Sequence, residues 1–129
     1  DLAALNTPKS VEGRSLLPML QDNNHVERST LYHAYVQNWR AVYDGRYRFL
    51  AYAENDKEGD AIVRRNLLFD MREDPMESND LSAVPAHAEN VKRLESLLHE
   101  QRDAYSDPVV PGGFWEKYKN GGPTEPIGY

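Results

Sequence analysis

Cysteine is absent from the 129-residue sequence, which excludes disulfides, thiolate metal sites and a cysteine nucleophile within these residues. Long apolar runs are absent as well, and none approaches the roughly 18 residues that would predict a membrane span. Positive charge is outweighed by negative charge, with 15 Lys and Arg against 21 Asp and Glu and a net charge of −6. Because nucleic-acid phosphates attract clustered Lys and Arg, this balance argues against a non-specific nucleic-acid binder.

The length and composition of the chain predict one domain with a modest core. A chain of this size can bury roughly two-thirds of the surface that its unfolded form exposes, and 40% of its residues are hydrophobic. The first eight residues, DLAALNTP, are typical of a helix end that stops before Pro8, because the residue before proline avoids helical geometry. We interpret this start as a hint that polypeptide precedes Asp1. Further on, Ser15 can cap a short helical turn.

Four β-rich runs predict an antiparallel sheet. They cover residues 30–36, 39–43, 46–53 and 62–69. In the first run the side chains alternate, so that Leu31, His33 and Tyr35 share one face. Asp44-Gly45, between the second and third runs, is a strong hairpin signal because both residues tolerate left-handed backbone angles.

A long amphipathic helix is predicted after the sheet, starting at Pro85, since proline fits the first helical position. Its apolar residues recur at spacings of three and four along one face: Ala88, Val91, Leu94, Leu98 and Tyr105. The fold class is therefore α+β, an antiparallel sheet of about four strands packed against one long helix. Residues 108–129 are rich in Pro and Gly, and we expect an extended tail. Its Phe114, Trp115 and Tyr118 should cover a surface of this domain or of a missing part.

The stretch NLLFDMREDPMESNDL, residues 66–81, is dense in carboxylates, and it could be a metal or acid-base site or a structural turn. The acids are Asp70, Glu73, Asp74, Glu77 and Asp80. They span a strand end and a turn broken by Pro75, so their side chains should point in several directions. An Asp-Pro pair starts turns because the Asp side chain bonds nearby backbone NH groups while proline fixes φ. This chemistry favours the turn.

Four segments, in the same order along the chain, resemble the C-terminal subdomain of type I sulfatases, in the alkaline phosphatase superfamily. They are Gly13 to Pro18 (GRSLLP), the hairpin Trp39 to Arg48 (WRAVYDGRYR), Leu68 to Leu81 (LFDMREDPMESNDL) and the helix that follows. The resemblance covers roughly residues 1–105. Arg48 stands where the family usually has Lys, and Asn79-Asp80-Leu81 replaces Asn-Asn-Leu.

The resemblance implies a hydrolase of sulfate esters that is divided between two subdomains. In such enzymes a formylglycine, made from Cys or Ser in a Cys/Ser-x-Pro-x-Arg motif, attacks sulfur while calcium holds the sulfate oxygens. This sequence contains no such motif. We therefore expect calcium and formylglycine on a missing N-terminal catalytic subdomain, and no cofactor on this chain. Residues 1–28 would be an inter-subdomain linker with a short helical turn, 29–107 the C-terminal subdomain and 108–129 the tail.

The chain alone is accordingly expected to be inactive. Its sheet and helix would pack on the catalytic subdomain and line the substrate cleft. The resemblance also implies a secreted or periplasmic location, and a sulfated carbohydrate or another sulfate ester as the parent's substrate. The apolar face left bare in the isolated chain should promote self-association.

Four residues are candidates for contact with that substrate: His33, Trp39, Arg40 and Arg46. Cationic groups suit sulfate oxygens and aromatic faces suit sugar rings. Each residue also has an ordinary structural interpretation. His33 suits a half-buried strand position, Trp39 a core or interface anchor, and the arginines a solvated sheet face or an ion pair with a nearby acid. No catalytic residue and no metal ligand is predicted in this chain.

Two other functions remain open from the sequence. A non-catalytic module could use the same sheet to hold a glycan or another protein. A related phosphatase or phosphonate hydrolase of the same superfamily would differ only in the nucleophile and metal ligands upstream.

Overall fold

A computed structural model describes residues 8, 10, 11, 13, 15, 17–21, 30–55 and 62–120 of the chain. Its elements in chain order are α1 (Leu17–Gln21), β1 (Leu31–Tyr35), β2 (Trp39–Tyr43), β3 (Tyr47–Asn55), β4 (Ile62–Asp70), a 3₁₀ turn (Pro85–His87), α2 (Ala88–Ala104) and α3 (Phe114–Asn120). The predicted helix end over residues 1–7 and the loops at 22–28 and 56–60 lie outside the described residues. No described helix has the length and apolar character needed to cross a membrane.

The short helix α1 begins as the sequence predicts. The side-chain oxygen of Ser15 accepts a hydrogen bond of 3.2 Å from the backbone NH of Leu17. Such a bond satisfies one of the NH groups that the first turn of a helix leaves without an intrahelical partner.

The four strands form one antiparallel sheet in the order β1-β2-β3-β4, which confirms the predicted fold class. The predicted hairpin turn joins β2 and β3, and Gly45 there has a φ of 96°, which an L side chain rarely adopts. One carboxylate oxygen of Asp44 accepts hydrogen bonds from the backbone NH groups of Arg46 and Tyr47, at 2.9 and 2.7 Å. The other accepts one of 2.6 Å from Arg93, which ties helix α2 to the hairpin.

One face of the sheet carries the main core. The register places Val42, Phe49 and Leu68 side by side on three strands, and all three are fully buried. Leu94 and Leu98, one turn apart on α2, are fully buried against them, as the apolar spacing predicted. Burial of a side chain of this size contributes about 1.5–3 kcal/mol relative to leaving it exposed.

Residues 121–129 of the predicted tail lie outside the described residues. The described part departs from the predicted extended conformation, because residues 114–120 form helix α3. Its aromatic residues, Phe114, Trp115 and Tyr118, are 2 to 3% exposed and belong to the main core. Their spacing puts them on one side of a helical segment, FWEKYKN, that contains neither Pro nor Gly. The aromatics therefore cover a surface of this domain, which is one of the two destinations predicted for them.

The opposite face of the sheet has a smaller apolar cluster. Ala41, Leu50, Leu67 and Phe69 are each at most 9% exposed, and Trp39 and Met71 pack against them. Strands β2 to β4 therefore bury apolar side chains on both faces of the sheet.

The turn between β1 and β2 is strained. Val36 has a φ of 45°, in the left-handed region that β-branched residues avoid, and its side chain is 63% exposed. Its carbonyl oxygen accepts a hydrogen bond of 3.1 Å from Arg40, which helps to hold this conformation.

Candidate functional site

The carboxylate-rich stretch folds as a turn, which confirms the favoured interpretation. Asp80 accepts hydrogen bonds from the backbone NH groups of Leu68 and Ser82, at 3.0 and 2.9 Å. Asp74 does the same for Asn79 at 2.8 Å. These carboxylates replace backbone partners that the end of β4 and the following loop would otherwise lack.

Two further acids of the stretch pair with arginines of the hairpin. Glu77 is 2.5 Å from Arg48, and Asp70 accepts bonds of 3.0 and 2.6 Å from Arg46. The bond from Arg46 holds the pKa of Asp70 below its usual range. Within the part of the chain that the structure describes, no three metal-ligating side chains converge. The stretch therefore fixes the fold of the hairpin.

A groove lies on the sheet face opposite the main core, and we name it the sheet-face groove. It has a volume of about 350 Å³ and is lined by His33, Tyr35, Trp39, Arg40, Ala41, Arg48 and Leu50. This volume falls within the range of about 300–1,000 Å³ that is usual for small-ligand sites. The pairing of β1 with β2 builds one end of it, since Tyr35 lies opposite Trp39 and His33 opposite Ala41.

His33 and Trp39 are the two predicted candidates whose side chains share this groove. His33 is exposed, so the half-buried position suggested for it as an alternative is wrong. Trp39 is half-buried and contacts Tyr52 edge to face, with 4.9 Å between ring centroids. The tryptophan is therefore held by a neighbour on β3 while part of it remains open to the groove.

Arg40 borders the groove, but its guanidinium lies on the helix-covered side of the sheet. Its side chain is 10% exposed and pairs with Asp107 at 2.5 Å. The charged end also sits 4.9 Å from the centre of the Phe114 ring, in the main core. This geometry is the ion pair that the sequence offered as the alternative role of the arginines.

Asp107 collects four hydrogen bonds and is the polar centre of the helix-covered side. Besides two bonds from Arg40, it accepts bonds from the hydroxyl of Tyr32 at 2.6 Å and the indole NH of Trp115 at 2.8 Å. Burial by itself raises the pKa of Asp107, but the bonds from Arg40, Tyr32 and Trp115 outweigh it, so the pKa lies below its usual range. Burial and the bond to Asp107 raise the pKa of Tyr32.

Arg46 is not among the residues that line the groove, although Arg48, two residues later, is. The side chain of Arg46 is 46% exposed and its guanidinium is bonded to Asp70.

Arg48 is a groove residue that sequence reasoning missed as a candidate. It lies opposite Tyr43 on the same face as Trp39. Its Nη1 bonds Glu77, while its buried Nε has no hydrogen-bond partner among the described residues. Alternation along β3 would have assigned it to this face once the hairpin register was known. The groove thus combines an aromatic ring, an imidazole and a guanidinium.

Comparison with known proteins identifies one family and one fold. The sequence model of the family "N-sulphoglucosamine sulphohydrolase, C-terminal" matches residues 1–104. The fold is similar to that of BT4656, solved in complex with its substrate D-glucosamine-2-N,6-O-disulfate, with a TM-score of 0.63 and 22% sequence identity. The similarity covers 81% of this chain and 22% of that one, so this chain spans less than a quarter of the other's length. None of the curated proteins matches the chain.

Proposed function

We propose, since the chain belongs to the N-sulphoglucosamine sulphohydrolase C-terminal family, that it is the C-terminal subdomain of a sulfuric ester hydrolase. The family match over residues 1–104 is the observation that carries the proposal. The 129 residues contain no cysteine and no Ser-x-Pro-x-Arg sequence. The nucleophile and the metal that holds the sulfate oxygens therefore belong to an N-terminal catalytic subdomain, and the isolated chain should not turn over sulfate esters.

The role proposed for this chain is to complete the substrate cleft from one side. The sheet-face groove offers the half-exposed ring of Trp39 for a sugar face and the imidazole of His33 for a polar group. Arg48 adds a cation whose Nε is not satisfied by the described residues. A sulfated sugar needs this combination, because its ring is amphipathic and its sulfate oxygens accept charge-assisted hydrogen bonds. The substrate of BT4656, a disulfated glucosamine, belongs to that chemical class.

The apolar cluster beside the groove supports packing against the catalytic subdomain. Leu50 lines the groove and also belongs to that cluster. A catalytic subdomain placed on this face would cover the partly exposed Trp39 and Met71 that pack on the cluster, and would enclose the groove between the two subdomains, which is a common position for a ligand site.

A kinetic comparison in the full-length parent tests the proposal. His33→Ala should raise KM for a sulfated saccharide about threefold to tenfold and leave kcat nearly unchanged, because His33 would bind substrate without taking part in bond cleavage. The matched control is His87→Ala, which removes an imidazole from the 3₁₀ turn, outside the groove. A KM that rises equally in both variants, or in neither, would contradict substrate contact in the groove.

The division of labour between the subdomains has a separate test. The isolated chain is incubated with a chromogenic aryl sulfate and calcium, and hydrolysis is compared with a blank. We expect no turnover. Hydrolysis above the blank would overturn the assignment of the chemistry to the catalytic subdomain.

A further inference from the structure

A second cavity lies on the helix-covered side of the domain, between β4, α2 and α3, and we name it the helix-side cavity. It has a volume of about 380 Å³ and is lined in part by Arg64, Glu95, His99, Arg102, Tyr118 and Lys119. None of these residues lines the sheet-face groove. The function proposed above leaves this cavity without a role.

The walls of the cavity are predominantly cationic. Arg64, Arg102 and Lys119 carry positive charge, and Glu95 is the one acid among the described residues that line it. Arg64 has Glu95 at 3.7 Å as its ion-pair partner, a long contact, and its buried Nε has no hydrogen-bond partner among the described residues. Glu95 is itself engaged, since the hydroxyl of Tyr118 lies 2.7 Å from its carboxylate. The cavity therefore has more cationic donors than anionic acceptors.

Aromatic rings hold the two guanidinium groups in place. The charged end of Arg64 is 4.2 Å from the centre of the Tyr118 ring, and that of Arg102 is 5.1 Å from the Trp115 ring. Both rings are fixed in the core. Cation–π contacts of this kind orient a guanidinium without consuming its NH donors, which remain available for an oxyanion.

His99 lines the cavity with an imidazole that is mainly uncharged at pH 7. Burial, and then the neighbouring Arg102, lower the pKa of His99 below its usual value. Its Nδ1 lies 3.4 Å from Nη1 of Arg102, a long contact. The Nε of Arg102 donates a hydrogen bond of 2.7 Å to Asp103, so the donors that this arginine can offer to a ligand are those of its two Nη groups.

We propose that the helix-side cavity is an oxyanion-binding site, which takes a sulfate or phosphate group, either free or carried on a sugar. Two oriented guanidinium groups can donate in pairs to the oxygens of such a group. The cavity is large enough for the anion together with a small body that carries it. Since it shares no residue with the sheet-face groove, the proposal stands independently of the function of that groove.

Calorimetric titration of the 129-residue chain tests the proposal with four probes: sodium sulfate, sodium phosphate, glucosamine 6-sulfate and glucosamine. We expect saturable binding of at least one anionic probe and none of glucosamine. Binding of inorganic sulfate or phosphate would identify a free-anion site, whereas binding of the sulfated sugar alone would identify a sugar-borne group. Absence of binding by every anionic probe would overturn the proposal.

Charge-neutral variants locate the site. Arg64→Gln and Arg102→Gln should each weaken binding about tenfold, the size expected for one lost charge-assisted hydrogen bond. Lys92→Gln removes the same charge from an exposed position of α2 outside the cavity and should leave affinity within about twofold. Circular dichroism of each variant checks that the fold is retained. If Arg64→Gln unfolds the chain, the affinity of the more peripheral Arg102→Gln variant tests the assignment. Equal weakening by Lys92→Gln, or no weakening by Arg102→Gln, would refute the assignment.

Discussion

Removal of the Asp107 carboxylate should destabilise the domain far more than removal of a neighbouring exposed acid. In Asp107→Ala, the guanidinium of Arg40 stays buried, with its side chain 10% exposed, and loses its counter-charge. The hydroxyl of Tyr32 and the indole NH of Trp115 lose their acceptor at the same time. The perturbation therefore leaves one charge and two polar groups without partners in the interior.

The expected loss is about 3–5 kcal/mol of unfolding free energy, which is the usual cost of breaking a buried ion pair by removing one partner. The hydrogen bonds from Tyr32 and Trp115 are not added to this figure, because they share one carboxylate with Arg40 and the energies of such coupled contacts are not additive. A loss of this size is a large fraction of the roughly 5–15 kcal/mol that stabilises an ordinary domain.

Urea unfolding of the chain, followed by far-ultraviolet circular dichroism, measures the loss. The matched control is Asp103→Ala, because Asp103 also pairs with an arginine, at 2.7 Å from Arg102, but its side chain is 70% exposed. That variant should lose far less stability than Asp107→Ala, because an exposed ion pair is screened by solvent. The double variant Arg40→Met/Asp107→Asn should cost less than Asp107→Ala alone, since it leaves no unpaired charge. A loss below about 1 kcal/mol in Asp107→Ala, or a loss equal to that of the control, would refute the argument.

Backbone strain and pH give further predictions. Val36→Gly should raise the unfolding free energy by about 1 kcal/mol, because the exposed valine is held at a positive φ that glycine adopts without strain. Gly45→Ala should lower the unfolding free energy by about 1–2 kcal/mol, because alanine would be strained at the positive φ of Gly45. Urea midpoints that move in the opposite directions would contradict both predictions. His99 binds a proton less readily in the folded than in the unfolded chain. The unfolding free energy should therefore fall as pH is lowered through about 6.5 to below the folded pKa. In urea titrations at pH 7.5 and 5.5, His99→Gln should reduce this fall, and an unchanged fall would exclude His99 as its source.

The elements of the sheet and helix α2 were predictable because their signals are local. Alternation defines β1, Asp44-Gly45 defines the hairpin, and the apolar spacing on α2 defines the face that it buries. Helix α3 was obscured by composition, since Pro and Gly on both sides hide a seven-residue segment that is itself compatible with a helix. The aromatic spacing of Phe114 and Tyr118 is the signal that could have revealed it.

The candidate site was predictable only in part, because the partner of a charged side chain can lie far away in the sequence. His33 and Trp39 share the groove through strand alternation and pairing, which the sequence contains. The same alternation places Arg40, the residue after Trp39, on the other side of the sheet, where its partner is Asp107, 67 residues later in the chain. No local pattern encodes that pairing.

The position of α3 in the chain has a consequence for biosynthesis. The aromatic residues that complete the main core are translated about 50 residues after Leu68, the last sheet residue of that core. At about 5–20 residues per second, the nascent sheet waits on the order of several seconds before its final cover exists. During this interval its apolar side is exposed to chaperones and to other nascent chains. The rate of translation therefore determines how long the domain exposes an aggregation-prone surface.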